Sequence, residues 1–128
     1  MNLDQSKALS LLESFTRLRD ECEKLKKKME EGRLKEGEEL LEKYGKLVES
    51  LLESYHDLRR DLDVRDTTLS VIELYDVEGE RKDPIVILTQ IIMECSKAIG
   101  YLQTISLKDK LDSLREGIRP LERSDYFL

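Results

Sequence analysis

"KALSLLESFTRLRDECEKLKKKME", Lys7 to Glu30, decides the fold. Its apolar residues are Ala8, Leu11, Phe15, Leu18, Cys22, Leu25 and Met29, stepping 3, 4, 3, 4, 3, 4 along the chain. That alternation keeps a single apolar stripe in line along a slightly supercoiled helix. Asp4 is a natural N-cap and Gly32 a natural C-terminal stop, so the spacing predicts a first helix from about Asp4 to Glu31.

The same rhythm continues on either side of a short polar link, "EEGRLKEG". Leu34, Gly37, Leu41, Tyr44, Val48, Leu51, Tyr55, Leu58 and Leu62 repeat the 3, 4 steps, and Leu40, Leu47 and Leu52 widen the stripe. Two helices of matched length joined by a tight connection predict an antiparallel α-hairpin over residues 4–63. Asp83-Pro84 opens a third helix, with an Asp cap and Pro at the first helical position. Across residues 84–105 its seam is Ile85, Leu88, Ile92, Cys95, Ile99 and Leu102, while Val86, Ile87, Ile91 and Ala98 make it apolar nearly all round. Such a helix belongs in the centre of the bundle or in an oligomer interface.

Ser106 is read as the cap of a short last helix, 107–118, with Leu107, Leu111, Leu114 and Ile118 inward and an end before Pro120. Between hairpin and third helix, the variable segment 64–83 contains "TTLSVIELY", Thr67 to Tyr75. Its composition suits a strand. A lone strand would lack a partner, and Leu69, Ile72 and Tyr75 or Asp76 fit a helical step, so a short helix is preferred there. "DVEGERKD" then reads as a solvated loop. The expected architecture is all-α: one antiparallel helical-bundle domain over residues 1–128.

Composition narrows the function. Charged and apolar residues each make up 39% of the 128, and the net charge is −6, so a phosphate backbone is not the expected partner. The cluster Lys24, Lys26, Lys27 and Lys28 is followed at once by Glu30 and Glu31, as on a solvated helix face. No apolar run is seen as approaching the ~18 residues of a membrane span, and the N-terminus has no signal-peptide pattern, so a cytoplasmic protein is expected. With 17 Glu and 12 Lys against one Asn and three Gln, the usage is thermophile-like. Cys22 and Cys95 have no zinc-ligand spacing and fall on apolar seams; buried free thiols are the reading, with a bridge between them as the alternative.

Three short stretches carry possible chemistry. Glu53 and His56 stand at the E-x-x-H spacing of di-iron bundles, but such a site needs two of these steps and the chain has one histidine. Glu38, Glu39 and Glu42 followed by Glu73 and Asp76 resemble the EExxE and ExxD carboxylates of all-α nucleotide pyrophosphohydrolases of the MazG kind, which hold magnesium. The gap here is longer than that family's, and a polar loop follows Asp76 directly. "HDLRRDL", His56 to Leu62, resembles the H-box of sensor histidine kinases, departing at Asp61 where the family has proline. That resemblance implies phosphate transfer to a ring nitrogen of His56, assisted by Asp57, within a phosphotransfer or dimerisation module. Heptad position b turns His56 toward solvent, and its charged neighbours also suit a plain solvated face.

Most of the sequence information lies in long apolar seams and little in a reactive pocket. The expectation is a helical protein–protein interaction or scaffold subunit without catalytic residues or cofactor, binding another protein or itself. Ile87 and Ile91 on the third helix and the apolar tail Tyr126, Phe127 and Leu128 are the expected contact residues.

Overall fold

The computed structural model describes residues 5–32, 38–62 and 68–124, which form three helices: α1 (Gln5–Glu31), α2 (Glu38–Asp61) and α3 (Pro84–Ser124). The protein is an all-α helical bundle. Each residue of the opening heptad stripe, from Ala8 to Met29, is buried, and together they supply the α1 side of the core. α1 ends at Glu31, where the Gly32 amide still reaches the Lys28 carbonyl at 2.9 Å. The Asp4 cap lies outside the described residues.

α2 buries Leu40, Tyr44, Val48, Leu51, Leu52 and Tyr55, and Leu62 just beyond it. Leu47, expected to widen this stripe, instead faces water. α3 opens as predicted: Asp83 Oδ1 accepts from the Ile85 amide at 2.8 Å, and its carbonyl accepts from Ile87 N at 3.1 Å. Leu88, Cys95, Ile99 and Leu102 of its predicted seam are buried, joined by Ile87, Ile91 and Ala98; Ile85 and Ile92 are only partly covered. The true seam is therefore displaced slightly around the helix.

Direction follows from the connections. Arg81, just before α3, donates toward Gly45 O at 3.4 Å and pairs with Glu49 at 3.4 Å, early in α2. Ten residues into α3, Glu94 is level with Tyr55, ten residues further along α2, because both hold Ser70. α3 thus runs parallel to α2 and antiparallel to α1, and the described chain from Thr68 to Asp83 returns along the bundle. α3 packs most extensively on α1, so it is the central member of the bundle.

Two sequence expectations are corrected here. The described part of the preferred short helix, Thr68 to Tyr75, is irregular chain without helix or strand. It ends in a turn where Tyr75 and Arg81 form an isolated antiparallel bridge. Asp76 Oδ1 caps that turn, accepting from Glu78 N at 2.9 Å and Glu80 N at 3.0 Å, and Gly79 takes a φ of 85°, where a side chain would be strained. The break at Ser106 is also absent: α3 continues through residues 106–124, including Pro120. At 1.5 Å per residue α3 is about 61 Å long, against about 36 Å for α2 and 40 Å for α1.

The membrane expectation also needs adjusting. Pro84–Ile105 is long and apolar enough, by length and composition, to cross a membrane. Within the bundle its apolar side supplies the core, and it carries Glu94 and Lys97, paired at 3.0 Å.

Candidate functional site

His56 and its surroundings are where the sequence places its chemistry. The adjoining chain, Leu69 to Ile72, buries Leu69 and Ile72 at its two ends. Burying those side chains brings backbone amides and carbonyls out of bulk water, and each needs a partner. Among the described residues no neighbouring strand supplies one. Side chains of α2 and α3 do.

Arg59 Nε donates to Leu69 O at 2.7 Å and the Tyr55 hydroxyl donates to Ser70 O at 2.5 Å. From the other side, Ser70 N donates to Glu94 Oε1 at 2.7 Å and Ile72 N to His56 Nε2 at 3.2 Å. Four side chains thus replace the ladder a strand would have had. Tyr55, His56 and Arg59 can act together because they stand one and four residues apart on one helix face.

His56 is therefore not the solvent-directed residue expected from heptad position b. It is half-buried, and an amide can only donate, so Nε2 carries its lone pair and the ring is neutral. Burial, then the cations Arg59 and Arg60, hold its pKa below the usual histidine value, against weaker opposing pulls from Glu73 and Asp57. Asp57 itself pairs with Arg60 on the exposed side of the helix. Tyr55 is pushed above the ordinary phenol range, by burial first and by the Glu94 carboxylate second, so it stays a donor.

Held in this way, Leu69 to Ile72 forms a strap, and beside it lies an open groove with a floor of Leu52, Ile72 and Leu74 and carboxylates Glu53 and Glu73 at its rim. Glu49 shares that rim but is paired with Arg81. The MazG-like carboxylates are not assembled: Glu39 and Glu42 lie at the start of α2, Glu73 lies beside His56, and Asp76 closes its turn. Among the described residues no group of three or more His, Cys, Asp or Glu side chains is placed to hold a metal ion.

Cys22 and Cys95 are free, fully buried thiols in the core, each with its pKa pushed up to about 12, chiefly by burial. Ile87 and Ile91, expected as contact residues, are 0% exposed in the single chain and belong to the core. Tyr126, Phe127 and Leu128 lie outside the described residues. Among the described side chains, the uncovered large apolar residues of α3 are instead Val86, Met93, Leu107, Leu111 and Leu114, the last three at 57%, 50% and 54% exposure.

Phase explains that exchange. At 100° per residue, Leu107, Leu111 and Leu114 point about 150° away from the direction shared by Leu88, Ile91, Cys95, Ala98 and Leu102. Only a break near Ser106 would have turned them inward, and the helix does not break. The residues that sequence reasoning missed are Glu94, Arg59 and the Tyr55 hydroxyl. Glu94 left one signal, as the only acid in the mainly apolar run "IIMECSKAIG". Compared with known proteins, the chain matches no family model, no curated protein and no solved structure.

Proposed function

We propose that this protein is a non-enzymatic helical interaction subunit that binds a protein partner through the outward face of α3. The observation that carries this reading is the uncovered stripe Leu107, Leu111 and Leu114 at the spacing of a helix-packing seam. Contiguous exposed apolar surface of that kind marks contact sites in soluble proteins. Polar chemistry elsewhere adds support, since Tyr55, His56, Arg59 and Glu94 are all engaged in holding the chain's own backbone.

Phosphotransfer at His56 is disfavoured by the same geometry, because Nε2 is occupied by the Ile72 amide. The test is the double substitution Leu107→Glu with Leu111→Glu, compared with wild type by light scattering and by pull-down from its native source. Loss of association with unchanged helical content is the expected result. Association that persists unchanged would sink the reading.

A further inference from the structure

Val86, Met93, Gly100, Leu107 and Leu114 follow one another along α3 at intervals of seven residues. A seven-residue repeat holds one line along a gently supercoiled helix, so these five belong to a single outward stripe. Four of them are large, apolar and roughly half exposed; the central one is a glycine. Gly100 is exposed, sits in the middle of a helix, and a Cβ built on it would meet nothing within 4 Å. Glycine is the least favourable ordinary residue for a helix interior apart from proline, and among the described residues nothing crowds this position.

Its neighbours one turn away are Ser96 and Thr104, both exposed, and the Thr104 hydroxyl is turned back onto the Gly100 carbonyl at 2.9 Å. The outer face of α3 is thus narrowest at its middle and apolar toward both ends. That shape suits the close crossing of another helix at Gly100.

From this we infer that the partner is a second copy of this chain, docked antiparallel on a two-fold axis at Gly100, with Met93 against Leu107 and Val86 against Leu114 of the other copy. The inference rests on the interaction reading above and specifies its partner. The two-fold operation maps residue i onto 200 − i, which places apolar on apolar at both ends of the stripe. An isologous contact of this kind closes after two copies.

Area agrees. The five exposed apolar side chains, Leu111 included, leave on the order of 500 Å² per copy uncovered, so two copies remove roughly 1,000 Å² of apolar surface. That is close to the apolar share of a standard interface of about 1,600 Å².

The test uses the full chain with Gly100→Leu. If the stripe were merely adhesive, an added leucine would strengthen self-association. A crossing at Gly100 predicts the opposite, a dissociation constant about tenfold to a hundredfold weaker, because the backbones are forced apart. The fold of the single chain should be kept, since the new side chain enters open space.

A spin label at Asp112→Cys supplies the geometry, the native thiols being fully buried. The two labels should lie about 36 Å apart along the axis, whereas a parallel pair or an axis in the distal stripe would bring them within about 15 Å. The inference is overturned by a short Asp112 distance, by Gly100→Leu associating as well as wild type, or by a wild-type protein that stays monomeric at high concentration. None of these touches the broader reading, which falls only if the double glutamate substitution at Leu107 and Leu111 leaves all partner binding intact.

Discussion

The two halves of α3 form one continuous helix, yet the large apolar residues of the first half are mostly core while Leu107, Leu111 and Leu114 of the second face water. From Pro84 to Leu102 the large apolar side chains fall mainly on the side of α1 and α2, and Ile87, Leu88 and Ile91 are fully buried. Beyond Ile105 the apolar stripe shifts phase, while α2, whose Tyr55 is level with Glu94, has already ended at Asp61, about level with Gly100. The lesson is that apolar content alone does not assign a residue to core or interface. What decides is the angle it holds relative to neighbouring helices, and whether a neighbour is there at all.

Substitutions at matched residues of the two halves should separate most widely. Ile91→Ala leaves a cavity in the core and should cost about 2–5 kcal/mol in chemical denaturation. If Ile91→Ala costs less than 1 kcal/mol, the comparison between the halves fails. Leu111→Ala, measured at concentrations low enough to keep the chain monomeric, should stay within about 0.5 kcal/mol of wild type.

The strap between α2 and α3 comes next in size. Glu94→Ala removes the acceptor for the Ser70 amide and the partner of Lys97, and should cost about 1.5–3 kcal/mol. Tyr55→Phe removes one neutral hydrogen bond and leaves the Ser70 carbonyl without that donor, for about 1 kcal/mol. Hydrogen exchange at the Ser70 and Ile72 amides should quicken in Glu94→Ala more than in Tyr55→Phe. The reverse order would show that α2, not α3, anchors this segment.

The smallest effect is the pH dependence from His56. Its folded pKa lies below the unfolded value of 6.5, so the unfolded state binds the proton more readily. The stabilisation is therefore fully present above pH 6.5 and is lost as pH falls through the folded pKa. Denaturation midpoints for wild type and His56→Gln should show this slope in the first protein and lack it in the second. A wild-type midpoint that rises as pH falls from 7 to 5, with no such rise in His56→Gln, would reverse the assigned protonation state.

Much of this molecule was legible residue by residue. The 3, 4 stripe from Ala8 to Met29 was buried without exception, and Asp83-Pro84 opened α3 as capping chemistry requires. Local rules suffice for such features because helix periodicity and end-capping depend on residues within a few positions of one another. The site was much less legible. His56 was noticed for its neighbours in sequence, whereas its partner, the Ile72 amide, is sixteen residues away. Glu94 and Ser70 are twenty-four apart. No helical or strand period connects such pairs.

What the sequence determined by itself was the presence of the long helices, the capped start of α3 and the apolar stripe of α1, since each follows from spacing along one element. Tertiary structure decided three further things: that Leu69–Ile72 could stay outside helix and sheet, that Ile87 and Ile91 were core, and that Leu107, Leu111 and Leu114 faced out. Each depends on which surface lies opposite a residue once the helices are packed. A buried backbone segment stays irregular only if side chains elsewhere satisfy its amides, and a stripe becomes core only if another helix lies against it.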